Sequence, residues 1–186
     1  MGKTLLLTVG STEFTSLVES FFHPTLINQL SSSLGITSVY AQIGNSRLPK
    51  GWELGVSEVE GVKFEVVRFT GDLEKRVAGS QVVISHAGAG SILSFLRPLS
   101  TPSTPSDRRL ILVPNDTFMD SHQNDLADEM EKYDCIRVCR DSKALLKTIE
   151  ALGKEEERDS REGNQQFPEF DKKKVQRILN ETLGYA

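Results

Sequence analysis

The sequence predicts an α/β fold, in which helices cover both faces of a mostly parallel β-sheet. Short apolar runs rich in β-branched residues, such as residues 82–84 and 110–113, recur along the chain and are typical of strands buried on both faces. Segments with apolar residues at helical spacing separate these runs, and strands that alternate with helices form parallel sheets. The pattern therefore predicts one Rossmann-like domain of about six strands.

The composition predicts a soluble domain with one hydrophobic core. Of the 186 residues, 38% are hydrophobic and 26% are charged, and the net charge is −4. This acidic balance, with no basic stripe, argues against nucleic-acid binding. No run approaches the roughly 20 apolar residues of a transmembrane helix, and no segment resembles a signal peptide. Cys135 and Cys139, on the order of 13 Å apart along a predicted strand, are expected to remain thiols in a reducing cytosol.

Each predicted strand is followed by a turn and then a helix. Strands are expected at residues 3–9, 38–43, 62–69, 82–84, 110–113 and 135–139. Apolar spacing predicts helices at 72–78, 92–96, 121–133 and 141–152, and His23-Pro24 implies a kink or two helices after the first strand. Residues 45–61 and the proline-rich residues 98–109 are expected to be loops. The domain is expected to end at residue 152, before a polar linker at 153–170 and a last helix at 171–186.

The segment at residues 81–94 carries the main functional signal. A buried strand leads into a turn of small residues at 86–91, His-Ala-Gly-Ala-Gly-Ser, and an apolar helix follows. Small residues let a backbone come close to a ligand, and the helix directs free N–H groups and the positive end of its dipole at the turn. The pattern predicts an anion pocket that fits a diphosphate. The alternative is that the small residues only pack the helix closely on the sheet.

Three loops are expected to meet at one edge of the sheet. Parallel sheets bind ligands outside the carboxyl ends of their strands, and the loops at residues 10–12, 86–91 and 115–123 all follow predicted strands. The dinucleotide motif G-x-G-x-x-G is missing after the first strand, and P-loop, G-x-S-x-G and zinc-ligand patterns are missing throughout. No Asp-x-Asp pair is present to hold a metal on a nucleotide diphosphate. Backbone donors, rather than Mg²⁺, are therefore expected to hold the ligand.

Three motifs, in order along the chain, resemble one family. They are Thr-Val-Gly-Ser-Thr at residues 8–12, Ser-His-Ala-Gly-Ala-Gly-Ser-Ile-Leu at 85–93, and Val-Pro-Asn-Asp at 113–116 with Met-Asp at 119–120 and His-Gln-Asn at 122–124. The chain resembles the soluble subunits of two-subunit UDP-N-acetylglucosamine transferases of the dolichol-linked oligosaccharide pathway. It is also similar to the C-terminal, donor-binding half of the bacterial transferase that adds N-acetylglucosamine to lipid I. The resemblance covers about residues 3–152 and implies the C-terminal half of a GT-B glycosyltransferase.

The resemblance implies a donor-binding role for residues in these loops. The phosphates would be approached by Gly10, Ser11 and Thr12, and the uracil would be lined by Phe69 and Thr70. The diphosphate would take amide donors from Ala87, Gly88, Ala89, Gly90 and Ser91, and His86 would also belong to the donor site. The implied donor site also contains Asn115, and the sugar would be bound by Asp120, His122, Gln123 and Asn124. Several alternatives stay open: Phe69 as a core residue, Asp120 as a helix N-cap, and His86 and His122 as local hydrogen-bonding residues.

Position 94 departs from the pattern of the related enzymes. A carboxylate three residues beyond the Ser91 position usually binds the ribose hydroxyls in those enzymes, and this chain has Ser94 there. Serine cannot accept two hydroxyls of a vicinal diol with the help of a charge. The departure predicts weaker donor binding, or a replacement by another residue such as Glu13 or Asp116.

Only half of a transferase is expected in this chain. Inverting transfer needs a base for the acceptor hydroxyl and a surface that holds the acceptor, and no residue here is assigned as that base. The resemblance implies a membrane-anchored second subunit that supplies both, a lipid acceptor (dolichyl-diphosphate N-acetylglucosamine), and a location in the cytosol and on the cytosolic face of the endoplasmic reticulum. Val175, Ile178 and Leu179 form a helical stripe that would contact the partner or, alternatively, the chain's own sheet. No cofactor and no metal is expected.

Other functions stay open from sequence alone. A transferase that works without a partner, a non-catalytic nucleotide-binding regulatory module and a nicotinamide-dependent dehydrogenase are the alternatives. The first differs from the two-subunit transferase because it needs no second subunit. The other two differ from it because they are not expected to bind a UDP-sugar.

Overall fold

A computed structural model describes residues 2–96, 108–115, 122–133 and 135–158 of the chain. Its seven strands form one sheet in the order β3-β4-β2-β1-β5-β6-β7. Every neighbouring pair is parallel except β3 and β4. The α/β prediction is therefore confirmed. In chain order the elements are β1 (Lys3–Thr8), α1 (Thr15–Phe21), α2 (Pro24–Leu34), β2 (Ile36–Gln42), β3 (Gly55–Val59), β4 (Val62–Val67), α3 (Leu73–Ala78), β5 (Val82–His86), α4 (Ala89–Leu96), β6 (Arg109–Val113), α5 (His122–Met130), β7 (Ile136–Val138) and α6 (Leu145–Arg158).

The central strands are buried on both faces, as their apolar runs predict. In β1, Leu5 and Leu7 belong to the core beneath α1, α2 and α6, whereas Leu6 belongs to the core on the opposite face, beneath α3 and α4. Successive side chains of a strand point to opposite faces, so three leucines in a row supply both cores. His23 accepts a hydrogen bond from the backbone N–H of Thr25 and caps α2, which makes α1 and α2 two helices rather than one kinked helix. Within the described residues, no helix is long and apolar enough to span a membrane.

The loop predicted at residues 45–61 contains an edge strand, so that prediction is wrong for β3. Strand β3 pairs antiparallel with β4 through a two-residue turn in which Glu60 and Gly61 have φ of 51° and 73°. Positive φ at both positions suits the right-handed twist of a hairpin, but Asn or Asp usually precedes the glycine. The first four residues of β3 are exposed. The strand therefore lacks both the turn signal and the apolar run that identified the others.

The last described helix extends beyond residue 152, where the domain was expected to end. Helix α6 continues to Arg158, six residues into the expected linker. Leu145, Ile149 and Leu152 are buried in the core next to α2. Gly153 is also buried, and a Cβ there would lie 3.0 Å from Cβ of Ser33, so the missing side chain lets α6 approach α2. The predicted linker beyond 158 and the helix at 171–186 lie outside the described residues.

The prediction that residues 98–109 form an exposed loop is wrong for its last two residues. Arg108 is buried, with 2% of its surface exposed, and Arg109 is the first residue of β6. The Arg108 guanidinium donates to the carbonyl oxygens of Val77, Ser80 and Phe95 and lies 4.4 Å from the ring centre of Phe95. Carbonyls at the ends of helices lack partners within the helix. Arg108 therefore joins the ends of α3 and α4 to the start of β6; residues 98–107 lie outside the described residues.

We expect Arg108→Ala to lower the free energy of unfolding by about 3 kcal/mol, because buried hydrogen bonds from a charged group are lost together with the packing of its stem. Urea denaturation of the two chains measures the difference. Arg140→Ala is the matched control, since Arg140 bonds Asp128 and Glu131 at the surface with its side chain 53% exposed. That control should change stability far less, because exposed ion pairs contribute little to stability. Equal losses for the two variants would contradict the role assigned to Arg108.

Candidate functional site

Three of the predicted loops begin at adjacent strand ends. Strand β5 lies between β1 and β6, with Thr8 beside Ser85 and His86 beside Val113. The carboxyl ends of the three strands therefore meet at one edge. Asn115, just after β6, is buried and donates from Nδ2 to the carbonyl oxygen of Glu13 at 3.1 Å. The expected convergence is thus present as far as residue 115, while residues 116–121 lie outside the described residues.

The His86 ring lies between the loop after β1 and the loop after β5. A Cβ atom built on Gly10 would lie 2.7 Å from Cε1 of His86, and one built on Gly88 would lie 2.5 Å from Nε2. Gly10 also has φ of +64°, a conformation that residues with a Cβ adopt at a cost. Both glycines are therefore required by the close approach of the imidazole, which holds the two loops together.

His86 is neutral near physiological pH in the ligand-free protein. Burial lowers the pKa of His86 below its ordinary value of 6.5, and the backbone of Thr8 opposes this shift in part. Its Nδ1 is buried without a hydrogen-bond partner among the described residues. A neutral imidazole brings no positive charge to a bound anion. Backbone N–H groups must then supply the attraction at this point.

The lowered pKa of His86 predicts a pH dependence of stability. Between its ordinary value of 6.5 and the lower folded value, the unfolded chain binds a proton that the folded chain does not bind, so stability is complete above about pH 6.5 and falls as the pH falls through this window. We expect the melting temperature to drop from pH 7.5 to 5.5, and to drop less in His86→Gln. Thermal melts across this range measure the difference. Parallel curves for the two chains would contradict the prediction.

The start of α4 presents free amide groups at the edge of the sheet. Helix α4 begins at Ala89, and the backbone N–H of Ile92 donates to the Gly88 carbonyl oxygen at 3.2 Å. The amides of Ala89, Gly90 and Ser91 precede that bond and have no acceptor within the helix. Ala89 and Gly90 are exposed, whereas Ala87 and Ser91 are buried. The geometry suits an anion held by backbone donors.

The two glycines of this turn serve different purposes. A Cβ on Gly88 would meet His86, so packing explains that glycine, whereas a Cβ on Gly90 would meet none of the described residues within 4 Å. Packing of α4 on the sheet therefore does not account for Gly90. A ligand that comes close to the helix end does account for it, because glycine leaves the backbone accessible.

The loop after β1 is held by residues that sequence reasoning missed. Gln42, buried at the end of β2, bonds both the N–H and the carbonyl oxygen of Gly10. Asn45 donates from Nδ2 to the carbonyl oxygen of Ser11 at 3.0 Å, and its backbone N–H donates to the Thr12 carbonyl oxygen. The only available sequence signal was a glutamine that ends a buried strand just before Gly44.

The hydroxyl groups of the loop differ in availability. Thr12 donates its hydroxyl to the Val9 carbonyl oxygen at 2.7 Å, so its proton is used within the loop. Ser11 is exposed. The Glu13 side chain is exposed and accepts from the Thr15 hydroxyl at 3.2 Å. Of the two proposed substitutes for a ribose-binding carboxylate, Glu13 therefore lies at the site edge, and Asp116 lies outside the described residues.

Phe69 and Thr70 follow β4 at the same edge of the sheet. Phe69 is 56% exposed, which excludes the alternative that it is a core residue. Thr70 donates its hydroxyl to Oδ1 of Asp72, which precedes α3. This bond is the largest cause that lowers the pKa of Asp72, and the neighbouring Arg76 lowers it further. Phe69 thus offers a free aromatic face, while the Thr70 side chain is engaged at the start of α3.

Several predicted site residues are placed only in part. Ser94 lies one turn after Ser91 on α4 and is partly exposed. The first turn of α5 is formed by His122, Gln123 and Asn124, whose side chains lie outside the part of the chain that the structure describes. Asp120 and the stripe of Val175, Ile178 and Leu179 lie outside the described residues altogether. Among the described residues, Cys135 and Cys139 form no disulfide, and no cluster of three or more His, Cys, Asp or Glu is arranged to hold a metal ion.

The fold defines a Rossmann-like domain in which the start of α4 lies at the carboxyl edge of the sheet, and comparison with known proteins assigns its family. The model of the "Glycosyltransferase family 28 C-terminal domain" matches residues 4–181. The chain belongs to this family. The predicted architecture, the C-terminal half of a GT-B glycosyltransferase, is confirmed by this match.

Two relatives show how far the likeness extends. The "UDP-N-acetylglucosamine transferase subunit ALG13" of Cryptococcus neoformans is 33% identical over 209 residues, which cover 98% of this chain and 97% of that protein. The protein of the same name from Kluyveromyces lactis is 34% identical over 137 residues, covering 73% of this chain and 66% of that protein. The similarity to the first relative therefore extends over nearly the whole of both chains.

Solved structures support the fold. The NMR solution structure of ALG13 has a TM-score of 0.56 at 23% identity and covers 98% of both chains. The crystal structure of the glycotransferase of kitacinnamycin has a TM-score of 0.54 at 18% identity and covers 84% of this chain but 36% of that one. A domain like this one is thus also found as part of a longer glycosyltransferase.

Proposed function

We propose that this chain is the donor-binding subunit of an inverting UDP-N-acetylglucosamine transferase. The observation that carries the proposal is the edge of the sheet where the free amides of α4 lie next to the Gly10 loop, with His86 between them. Membership of the glycosyltransferase family and the names of its relatives support the same substrate. The acceptor is dolichyl-diphosphate N-acetylglucosamine, and the product carries a chitobiosyl group.

The amides at the start of α4 stabilise the leaving group. In the transfer step, the acceptor hydroxyl oxygen forms a bond to the anomeric carbon while the bond from that carbon to the diphosphate oxygen breaks. Negative charge grows on the departing UDP, and donors fixed in advance stabilise it without reorganisation. Ala89 and Gly90, both exposed in the first turn of α4, present such donors. The proton of the acceptor hydroxyl goes to a base that we place on the partner.

The partner is a membrane-anchored second subunit. The relatives are named as subunits, which supports an assembly of more than one chain. A single Rossmann-like half offers one wall of a cleft, and a transfer reaction needs a second wall for the acceptor. The partner would place this chain on the cytosolic face of the endoplasmic reticulum. Deletion of residues 171–186 should then abolish co-purification with the partner, whereas retained association would contradict the docking role of Val175, Ile178 and Leu179.

The decisive experiment measures transfer from UDP-N-acetylglucosamine to the lipid acceptor, with and without a membrane fraction that contains the partner. Product only in the presence of both fractions is the expected result. Product from the purified chain alone would favour the self-sufficient transferase. Failure of the assembled complex to bind UDP-N-acetylglucosamine would indicate a regulatory module. Binding of a nicotinamide cofactor instead would indicate a dehydrogenase.

We expect transfer to continue after removal of divalent cations. The chain has no Asp-x-Asp pair, and helix N-termini bind phosphates through N–H groups and the helix dipole. Initial rates in the presence and absence of EDTA, with a magnesium-dependent transferase as the positive control for chelation, measure this. A rate that falls to background and returns with added Mg²⁺ would contradict the expectation.

A further inference from the structure

Gln42 uses its whole side-chain amide at the end of β2. The residue is 3% exposed. Its Oε1 accepts from the Thr8 hydroxyl at 2.5 Å and from the Gly10 N–H at 3.1 Å. Its Nε2 donates to the carbonyl oxygen of Gly10 at 2.6 Å and to that of Arg68 at 2.7 Å. All four bonding directions of a carboxamide are thus occupied.

The surrounding groups dictate both the residue type and its orientation. Two backbone carbonyl oxygens face one end of the side chain, and carbonyl oxygens only accept, so that end must be the NH₂ group. A hydroxyl and a backbone N–H face the other end, which must be the oxygen. A carboxylate at position 42 would place an oxygen against the carbonyls of Gly10 and Arg68. An apolar side chain of the same length would leave all four groups without this partner.

The side-chain amide of Gln42 joins two segments that have different roles in the proposed donor site. One is the Gly10 loop, which faces the diphosphate. The other is the segment that leaves β4 at Arg68 and leads directly into Phe69 and Thr70, next to the base. Gly10 itself lies between the Gln42 amide on one side and the His86 ring on the other. The Gln42 side chain therefore bonds directly to both the phosphate side and the base side of the proposed site.

We propose that Gln42 is a positioning residue for donor binding, which sets the spacing between the diphosphate loop at Gly10 and the base segment at Phe69. The proposal rests on the proposed function, because it takes UDP-N-acetylglucosamine as the molecule that spans the two segments. Gln42 does not touch the donor. It acts through the backbone groups that it holds.

The test compares steady-state kinetics of the assembled membrane complex containing Gln42→Met or Gln42→Glu with the unsubstituted complex. Gln42→Met keeps the length of the side chain and removes all four bonds, whereas Gln42→Glu keeps the acceptor and removes both donors. We expect the KM for UDP-N-acetylglucosamine to rise about tenfold or more in both variants, because Gln42→Glu loses two of the four hydrogen bonds and Gln42→Met loses all four. The KM for the lipid acceptor should stay the same, because the acceptor meets neither segment.

Gln81→Met is the matched control. Gln81 also ties neighbouring strands together, with Oε1 accepting from the backbone N–H of Thr4 at 2.8 Å and from the Thr4 hydroxyl at 2.9 Å. It does so at the amino ends of the strands, away from the site. A general loss of folded protein lowers kcat and leaves both KM values unchanged, which is the result expected for this control.

The outcomes separate the two proposals. An unsubstituted complex that is active, together with an unchanged donor KM in both Gln42 variants, would overturn the role of Gln42 and leave the proposed function standing. The same holds for a donor KM raised equally in Gln81→Met. If Gln42→Met does not fold, Gln42→Glu alone decides by the same criterion. An unsubstituted complex that neither binds nor transfers from UDP-N-acetylglucosamine would overturn the proposed function and this inference with it.

Discussion

Gly88→Ala should lower kcat/KM for UDP-N-acetylglucosamine by about a hundredfold or more, the loss typical of a catalytic group displaced by about 1 Å. The new Cβ would lie 2.5 Å from Nε2 of His86. The ring has little room to move away, because it also packs so closely on the Gly10 loop that a Cβ at Gly10 would lie 2.7 Å from its Cε1. The turn must therefore move, and the Ala89 amide moves with it. Kinetics of the assembled complex measure the loss, and near-normal transfer would contradict the assignment of this turn as the diphosphate site.

Gly90→Ala separates ligand binding from folding at the same turn. The new Cβ meets no atom of the described part of the chain within 4 Å, and alanine in a helix is favoured over glycine, so stability should stay the same or rise by about 0.5 to 1 kcal/mol. If the diphosphate lies against this backbone, donor affinity should nevertheless fall by about tenfold. Thermal melts and UDP titration of the complex measure the two quantities. A stable variant with unchanged affinity would place the diphosphate away from Gly90.

Gly44→Ala should destabilise the protein by about 3 kcal/mol, through backbone strain together with overpacking. Gly44 has φ of +54°, and a Cβ there would lie 2.5 Å from the carbonyl oxygen of Thr12 and 2.7 Å from that of Gly10. Both contacts are backbone atoms of the loop expected to face the phosphates. The loop must move to admit the methyl group, so donor affinity should fall as well. Urea denaturation and UDP titration of the complex measure both effects.

Gly35→Ala is the control for the strain alone. Gly35 ends α2 with φ of +65°, and nothing lies within 4 Å of a Cβ at that position. The substitution should therefore cost only the conformational penalty of about 1 kcal/mol, with donor affinity unchanged. The difference between the two glycine variants isolates the contact with the loop. Equal losses of stability and affinity would contradict the support role assigned to Gly44.

The sequence predicted most of the fold because its signals were local. Strands β1, β5 and β6 are short apolar runs whose side chains fill cores on both faces of the sheet. Such runs can be recognised in the sequence without knowledge of the strands that pair with them. The turn at residues 86–91 was found in the same way, since small residues between a strand and a helix form a compact pattern. The antiparallel strand β3 was missed because four of its five residues are exposed and its turn uses Glu60 where Asn is usual.

What the sequence determined by itself, then, was the alternation of strands and helices, the small-residue turn at Gly88 and Gly90, and a likeness to one transferase family. Only the tertiary structure decided which groups hold that site in shape. Gln42 lies 32 residues from Gly10 along the chain, and Arg108 donates to carbonyl oxygens in two helices, those of Val77 and Phe95. The role of a buried polar side chain depends on the hydrogen-bond partners that folding brings next to it, and these partners are distant in sequence. Periodicity reports which face of an element is buried, but not which hydrogen bonds the buried polar groups will form.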